Sequence, residues 1–495
     1  VGVVATNDVH YARKADFPVH DVLTCVRTLT RLESVHPDRP LNAEQYLKSP
    51  HEMASLFAHL PEALSNTVRI AELCDDDVLP RGEKLFPAYP GVPPGQTAMQ
   101  LLRRLVYEGA QARYDRITET IRDRLEHELS IIGALGVEDY FLVAHDIVQF
   151  ARRRGIRTAG RGSAADSAVA YVLFLTDVDA IGRGLLFERF LSLERAQKPD
   201  IDLDFDARRR DEVAAYVYQR FGHDRVASVA TYNTYQARSA LRDIGKAMGY
   251  PESELDALAK RFPHIPADAI REAAACLPEL RKSELLRSLP GMVGHRYELL
   301  FDLAEAVAGF PRHLGTHLGG LIISDRPIAE LVPLQMAAKG VVVAQFDKDD
   351  VEAMGFIKLD LLSLRMLGAV DDAVHLIQGD EARAKGGGTE AGAFSYDHVP
   401  LDDPETYRML REGDTVGVFQ LESPAQRALQ SRLGAEHIED IVASVALIRP
   451  GPIKGNMVEP FIARRQGLEP VPHLHPALER ILKKTYGVVL FQEQV

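Results

Sequence analysis

The chain has 495 residues, of which 46% are hydrophobic and 26% are charged, and its formal net charge at pH 7 is −13. This length is typical of about three domains with substantial cores, and the negative charge argues against binding nucleic acid by bulk electrostatics alone. No apolar run is long enough to predict a membrane span. The three cysteines, Cys25, Cys74 and Cys276, form no Cys-x-x-Cys pair, which argues against a zinc ribbon or a disulfide scaffold and favours a reducing, cytoplasmic setting.

The first 154 residues read mainly as helices with one irregular stretch between them. Residues 80–97 are rich in Pro and Gly, which predicts an irregular connector. Helices are predicted to dominate residues 98–154, with residues 117–135 as the clearest example. An arginine-rich track, which includes Arg157 and Arg161, follows these helices and is a candidate for phosphate contacts.

The segment Gly-Arg-Gly-Ser-Ala-Ala-Asp-Ser at residues 160–167 opens a run that predicts a helix over residues 164–175. Ser163 fits the N-cap position, and Asp166 three residues later resembles a capping box. The glycines allow close backbone approach, and the free N–H groups of a helix start attract anions. An ordinary capped helix after a turn is an equal alternative. The segment lacks the spacing of a P-loop.

Residues 199–205 read Pro-Asp-Ile-Asp-Leu-Asp-Phe, with apolar and acidic residues in strict alternation. This period predicts a strand whose apolar residues face a core while Asp200, Asp202 and Asp204 share the other face. Like charges on one strand face destabilise a sheet, so a divalent cation is the natural compensation. A solvated acidic strand face is the alternative.

The second half of the chain is predicted to be helical and then to return to strands. Residues 208–221 form an amphipathic pattern that Gly222 should end, and further helices are predicted over residues 235–308. Strands are predicted at 320–324 and 341–344, whereas residues 385–389 read as a loop. His313 and His317 have the spacing of a metal pair on a helix, but Gly315 between them favours a loop and argues against metal binding.

Residues 355–362 alternate in the same way and predict another strand. Lys358 and Asp360 fall on one face of it, and a cation beside a carboxylate could serve one phosphate-and-metal site. If this strand pairs near residues 199–205, Asp360 completes an acidic cluster. Taken alone, an exposed ion pair is the simpler explanation.

Together these motifs resemble those of the C-family bacterial DNA polymerases, the DNA polymerase III alpha subunits. Further segments of the chain resemble motifs of the same family, at residues 4–10, 186–191, 241–245, 317–320, 419–423, 449–452 and 491–495. The resemblance covers essentially the whole chain. It departs from the family pattern at Ala164 and Asp166, where an added carboxylate could weaken nucleotide binding, and at Leu318.

The resemblance implies an α+β, multidomain polymerase with a nucleotidyltransferase palm similar to that of polymerase beta. The expected domains are the C-terminal part of a PHP domain (1–70), the first part of the palm (71–231), a helical thumb (232–312), the second part of the palm (313–365) and partial fingers (366–495). Because position 1 is Val and the chain stops inside a Gln-Glu-Gln motif, the resemblance implies a fragment.

By resemblance, the function is template-directed addition of deoxynucleotides to a primer 3′ end, with two Mg²⁺ ions and deoxynucleoside triphosphates. The resemblance implies Asp200, Asp202 and Asp360 as catalytic metal ligands, with Asp204 as a second-tier candidate. The expected nucleotide-binding residues are Gly162, Ser163, Arg189, Lys358 and Arg449. Asp8 and His10 match PHP metal ligands, but their site is expected to be incomplete in this chain.

The expected partners are primer–template DNA and, through regions outside this chain, a sliding clamp and other replisome or translesion subunits. No membrane partner is expected. Two branches of the family remain open, the main replicative subunit and its error-prone translesion relative, and segments 345–350 and 414–420 resemble the second. A non-catalytic, polymerase-like DNA-binding scaffold and a PHP phosphoesterase are alternatives from other classes.

Overall fold

The computed structural model describes residues 2–75, 85–194, 198–281, 293–384, 399–449, 451, 455–472, 475–491 and 494. The predicted loop at residues 385–389 lies outside these residues, as does part of the predicted connector at 80–97. None of the helices in the described residues is long and apolar enough to cross a membrane.

Helices and strands of both pairing directions make up the described chain, which confirms the prediction of a mixed α and β fold. The strands are β1 (Thr158–Arg161), β2 (Asp202–Asp206), β3 (Val226–Thr234), β4 (Pro311–Ile323), β5 (Leu334–Met336), β6 (Val342–Ala344) and β7 (Lys358–Leu364). The helices are α1 (Phe17–Thr28), α2 (Pro50–Leu56), α3 (Pro61–Leu73), α4 (Ala98–Arg113), α5 (Glu119–Leu135), α6 (Glu138–Arg153), α7 (Ala168–Val172), α8 (Ala180–Arg183), α9 (Arg210–Phe221), α10 (Ala237–Ala247), α11 (Glu252–Arg261), α12 (Ile270–Cys276), α13 (Pro278–Arg281), α14 (Val293–Ala306), α15 (Lys348–Ala353), α16 (Arg365–Ala384), α17 (Pro404–Glu412), α18 (Pro424–Leu433), α19 (Ile438–Leu447), α20 (Val458–Arg465) and α21 (Pro476–Leu482).

The chain divides into two compact units. The first unit comprises residues 1–84, 228–317 and 328–355. Its helical core is formed mainly by α1, α10, α11 and α14, with buried side chains such as Leu241, Phe262 and Leu300. The helices predicted over residues 235–308 are therefore confirmed. In the same unit β3 pairs in parallel with β6, and β5 pairs antiparallel with β6.

The second unit comprises residues 85–227, 318–327 and 356–495. Its sheet places β2 between β1, which is antiparallel to it, and β7, which is parallel to it. The end of β4 pairs antiparallel with the other edge of β7. Helices α4, α5, α6 and α9 cover the apolar face, where Ile201, Leu203 and Phe205 are completely buried. The predicted alternation of apolar and polar residues is thus what anchors β2 and β7 to the core.

Two predictions of local structure are wrong. Residues 164–175 do not form one helix, because a 3-10 turn at Gly162–Asp166 is followed by the short helix α7. The N-cap is Ser167 rather than Ser163, since the Ser167 hydroxyl accepts a hydrogen bond from the amide of Ala170. Phe174, with a φ of 62°, then leaves the helical conformation.

The second wrong prediction concerns His313 and His317, which lie in strand β4 rather than in a loop. A Cβ atom on Gly315 would meet the side-chain amide of Asn233 at 2.6 Å. The glycine therefore permits a close approach within the first unit, and it does not mark a break in regular structure.

Close packing between α4 and α7 generates a test of this fold. A Cβ on Gly109 would meet the carbonyl oxygen of Val172 at 2.0 Å, so Gly109→Ala should destabilise the second unit by ~1–3 kcal/mol through overpacking. This steric cost exceeds the gain of about 1 kcal/mol that alanine brings to a helix interior. Gly379→Ala in α16 is the matched control, because no atom lies within 4 Å of its added Cβ, and it should be neutral or stabilising. Thermal unfolding measures both; equal melting temperatures would contradict the packing.

Candidate active site

Three aspartates meet at the start of the two parallel strands. Asp202 of β2 lies directly opposite Asp360 of β7, and Asp200 precedes Asp202 by two residues. One oxygen atom from each carboxylate lies within 4.8 Å of the others. Asp360 is buried, Asp202 is half-buried and Asp200 is exposed. The structure therefore brings together residues that are far apart in sequence, in a group that opens to solvent on one side.

The surroundings of Asp202 change its protonation. Burial, together with the negative charges of Asp200 and Asp360, raises the pKa of Asp202 to about 6. Lys358 donates a hydrogen bond to Asp360, and its Nζ atom lies 3.9 Å from Asp200. Burial lowers the pKa of Lys358, but the bond to Asp360 and the surrounding carboxylates outweigh it and raise the pKa, so the ammonium stays charged. One ammonium does not neutralise three carboxylates, and this donor set suits a divalent cation.

A second positively charged side chain, from β1, lies beside the three aspartates. Arg161 lies opposite Asp202 in the strand register, with its Nε 3.8 Å from Asp202 Oδ2 and 3.5 Å from Asp204 Oδ2. Asp204 is buried, and this burial raises its pKa. It lies opposite Leu362 rather than Asp360 and is not part of the three-carboxylate group. The sequence placed Arg161 in a basic track, but only the register of β1 could reveal its carboxylate neighbours.

The glycine segment borders the same carboxylates. Gly162 has a φ of 72°, and a Cβ added there would lie 3.5 Å from Asp202 Oδ2. Ser163 lies in the same 3-10 turn and is half-buried. Arg189 is tied to this turn, since its guanidinium lies 3.4 Å from the Asp166 carboxylate. The turn thus contains Gly162 and Ser163, and its Asp166 keeps Arg189 close to them. The charge of Asp166 is balanced by Arg189, and burial raises the pKa of Asp166.

A buried glutamate that the sequence reasoning missed supports this turn. Glu128 of α5 is completely buried and accepts hydrogen bonds from the Ser167 hydroxyl at 2.7 Å and from the amides of Ala168 and Val169 at 2.9 Å each. Arg124 donates to Glu128 at 2.7 Å and to the carbonyl oxygen of Asp166 at 3.0 Å. Burial raises the pKa of Glu128, although these hydrogen bonds oppose the shift. The sequence contains one signal of this role, because Glu128 falls on the apolar face of the helix predicted at residues 117–135.

The remaining predicted residues are Arg449, Asp8 and His10, and each belongs to another segment of the described chain. Arg449 follows α19 and is exposed. Asp8 and His10 lie in the first unit, with His10 Nε2 3.2 Å from Asp8 Oδ1. Both line a cavity of about 740 Å³. Among the described residues, no third side chain joins them in a group like that of the aspartates.

The arginines that follow β2 form ion pairs with carboxylates of the same chain. Arg208 binds the carboxylates of Asp206 and Asp372, at 2.7 and 2.8 Å. Arg209 pairs with Glu212. These contacts favour a structural role for Arg208 and Arg209.

Comparison with known proteins identifies the class to which this fold and site belong. The family model described as the bacterial DNA polymerase III alpha NTPase domain matches residues 100–363, and the model of the finger domain of the same subunit matches residues 366–495. The chain belongs to the bacterial DNA polymerase III alpha subunit family, which confirms the resemblance seen in the motifs.

Similar curated proteins are named error-prone DNA polymerase. The protein from Symbiobacterium thermophilum is 61% identical over 494 residues, which are 100% of this chain and 43% of that protein. Those from Dechloromonas aromatica and Methylococcus capsulatus are 41% and 40% identical, again over 100% of this chain and over 46% and 45% of their own lengths. The chain thus spans about half the length of the curated relatives it matches.

The Glu128 network generates a second prediction. Glu128→Ala would leave Arg124 and two amides without their buried acceptor, so it should destabilise the second unit by about 3–5 kcal/mol. Glu126→Ala on the same helix removes a partly exposed acceptor for Arg103 and Tyr107 and should cost only about 1 kcal/mol. Denaturant unfolding of both variants provides the measurement. A similar, small loss in the two would show that Glu128 does not support the turn.

Proposed function

We propose that this chain contains the nucleotidyl-transfer centre of a DNA-directed DNA polymerase, which adds deoxynucleotides to the 3′ end of a primer. The observation that carries the proposal is the group formed by Asp200, Asp202 and Asp360, which lies within the residues matched by the polymerase family. The donor set consists of hard carboxylate oxygens, which are the ligands that Mg²⁺ prefers. The raised pKa of Asp202 also reflects repulsion that a bound cation would relieve.

These three aspartates would hold two Mg²⁺ ions, with Asp204 as a second-tier ligand. When bound, such ions stabilise the charge on the transferred phosphoryl group and lower the pKa of the primer hydroxyl. Lys358 supplies a fixed positive charge beside the carboxylates for the triphosphate. Gly162 and Ser163 offer backbone and hydroxyl groups at the same edge, and Arg189 is held beside them by Asp166. No side chain has to act as a strong base, and positioning with electrostatic stabilisation carries the chemistry.

The proposed domain arrangement follows the family. Residues 71–231 and 313–365 would form a palm similar to that of polymerase beta, residues 232–312 the thumb, residues 366–495 part of the fingers with Arg449, and residues 1–70 the end of a PHP domain with Asp8 and His10. The finger-domain match at residues 366–495 and the helices from Ala237 to Ala306 support this division. Primer–template DNA would be the main partner, with a clamp and other subunits contacted elsewhere in the whole protein.

Of the two branches considered, we favour the error-prone translesion polymerase over the main replicative subunit. The names of the relatives at 61%, 41% and 40% identity support this choice. Extension across a damaged template base by the purified protein, compared with an undamaged template, tests it. Efficient bypass supports the error-prone branch, whereas extension confined to undamaged templates favours the replicative one.

Asp202→Asn tests the catalytic proposal. It should lower the rate of primer extension by roughly a hundredfold or more, since it removes a carboxylate from the centre of charge stabilisation. DNA affinity should hardly change, because it depends on phosphate contacts made elsewhere. Asp211→Asn is the matched control, since Asp211 is exposed and pairs with Arg210 outside the cluster. Primer extension with Mg²⁺ and fluorescence anisotropy give the two readouts; normal extension by Asp202→Asn would refute the assignment.

The pKa of Asp202 predicts a pH dependence for metal binding. Because this pKa is about 6, Asp202 holds a proton at lower pH and a divalent cation must displace it. Binding of Mn²⁺ should therefore strengthen as the pH rises, by roughly tenfold per pH unit well below the pKa for one released proton, and level off above about pH 6. Titration of Mn²⁺ followed by electron paramagnetic resonance measures this profile. A flat binding profile between roughly pH 4.5 and pH 7 would contradict this protonation of Asp202.

A further inference from the structure

The two segments that supply the acidic cluster meet a single buried tyrosine. Tyr140 of α6 is completely buried and packs against Phe86 and Phe141, with ring centroids 5.5 and 6.3 Å away. Its hydroxyl accepts a hydrogen bond of 2.9 Å from the amide of Ile201. The same hydroxyl donates toward the carbonyl oxygen of Lys358, 3.5 Å away. One phenol oxygen therefore touches both chain segments that supply the cluster.

The position of these contacts along the chain gives them their importance. Ile201 lies between Asp200 and Asp202, and Lys358 precedes Asp360 by two residues. The register between β2 and β7 begins at Asp202 and Asp360, so Ile201 comes one residue before the ladder. Asp200 comes earlier still and is exposed. A polar anchor at Ile201 thus acts where regular strand pairing has not yet begun.

We propose that Tyr140 is a positioning residue for the metal-binding carboxylates, because its hydroxyl sets the spacing between the segment of Asp200 and Asp202 and the strand of Asp360. This inference rests on the proposed metal site and adds a residue that touches neither metal nor substrate. Tyrosine suits the role, since one hydroxyl both donates and accepts, and the rigid ring is fixed by aromatic packing. Mutation of a group that orients metal ligands typically lowers metal affinity by about 10- to 100-fold.

Tyr140→Phe tests the inference, because it keeps the ring and removes only the hydroxyl. We expect Mn²⁺ binding, followed by electron paramagnetic resonance, to weaken roughly tenfold. Tyr114→Phe is the matched control: Tyr114 is half-buried in the same unit and its hydroxyl donates to Asp179 at 2.9 Å, away from the cluster. This control should bind Mn²⁺ like the unmodified protein. Unchanged Mn²⁺ affinity in folded Tyr140→Phe would overturn the inference.

Asp202→Asn separates this inference from the proposal on which it rests. If Asp202→Asn fails to weaken Mn²⁺ binding, the metal site itself is refuted. If Asp202→Asn weakens binding and Tyr140→Phe does not, only the positioning role of Tyr140 is refuted.

Hydrogen exchange of the unmodified protein gives a measurement that does not depend on how Tyr140→Phe folds. The Ile201 amide should exchange as slowly as the amides of β2, although it precedes the strand, because it donates to a buried hydroxyl. Fast exchange at Ile201 beside slow exchange in β2 would show that Tyr140 does not hold this segment, and would overturn the inference.

Discussion

The site depends on one row of paired residues across the sheet of the second unit. Arg161 of β1 lies opposite Asp202 of β2, Asp202 lies opposite Asp360 of β7, and Asp360 lies opposite Gly320 of β4. Two carboxylates directly opposite each other on neighbouring strands repel, and a sheet does not accept this without compensation. The apolar faces of the two strands are fully buried and hold the pair in this register. The hydrophobic core thus supports an arrangement that electrostatics alone would separate.

The groups around this row act mainly by limiting that repulsion and by fixing the backbone. Lys358 and Arg161 supply positive charge from either side. Glu128 and Arg124 hold the turn that starts at Gly162, and they satisfy each other in a buried place where either alone would be costly. Asp166 is similarly balanced by Arg189. The charge expected to disturb nucleotide binding therefore has a local partner.

The sequence predicted the strands because a period of two is visible in a few residues. Ile201, Leu203 and Phe205 alternate with acids, and Leu359 and Leu361 alternate around Asp360, so both apolar faces could be assigned. The same pattern identified three aspartates on one face, but it gave no means to decide that Asp360 joins Asp200 and Asp202 while Asp204 does not. That distinction comes from the parallel register of strands that are far apart in sequence. Local periodicity does not show which strands pair when they are far apart in the sequence, or in which register.

The errors have the same origin. Ser163 fulfilled the local rule for an N-cap, but Ser167 takes that position because Glu128, from another helix, binds its hydroxyl and the next two amides. Gly315 satisfied the local rule for a loop, but it serves close packing within a strand. In both cases a tertiary contact overrides a sound local preference. The role of Tyr140 was hidden likewise, since an aromatic residue in an apolar helix reads as core.

Joint binding of the divalent cations by Asp200, Asp202 and Asp360 is the feature on which the proposed chemistry depends. Anomalous X-ray scattering at the manganese edge, from crystals of the protein grown with primer–template DNA, a non-extendable nucleotide and Mn²⁺, tests this most directly. We expect anomalous peaks bonded to carboxylate oxygens of all three aspartates. Peaks bound elsewhere, with these carboxylates making only protein contacts, would contradict it.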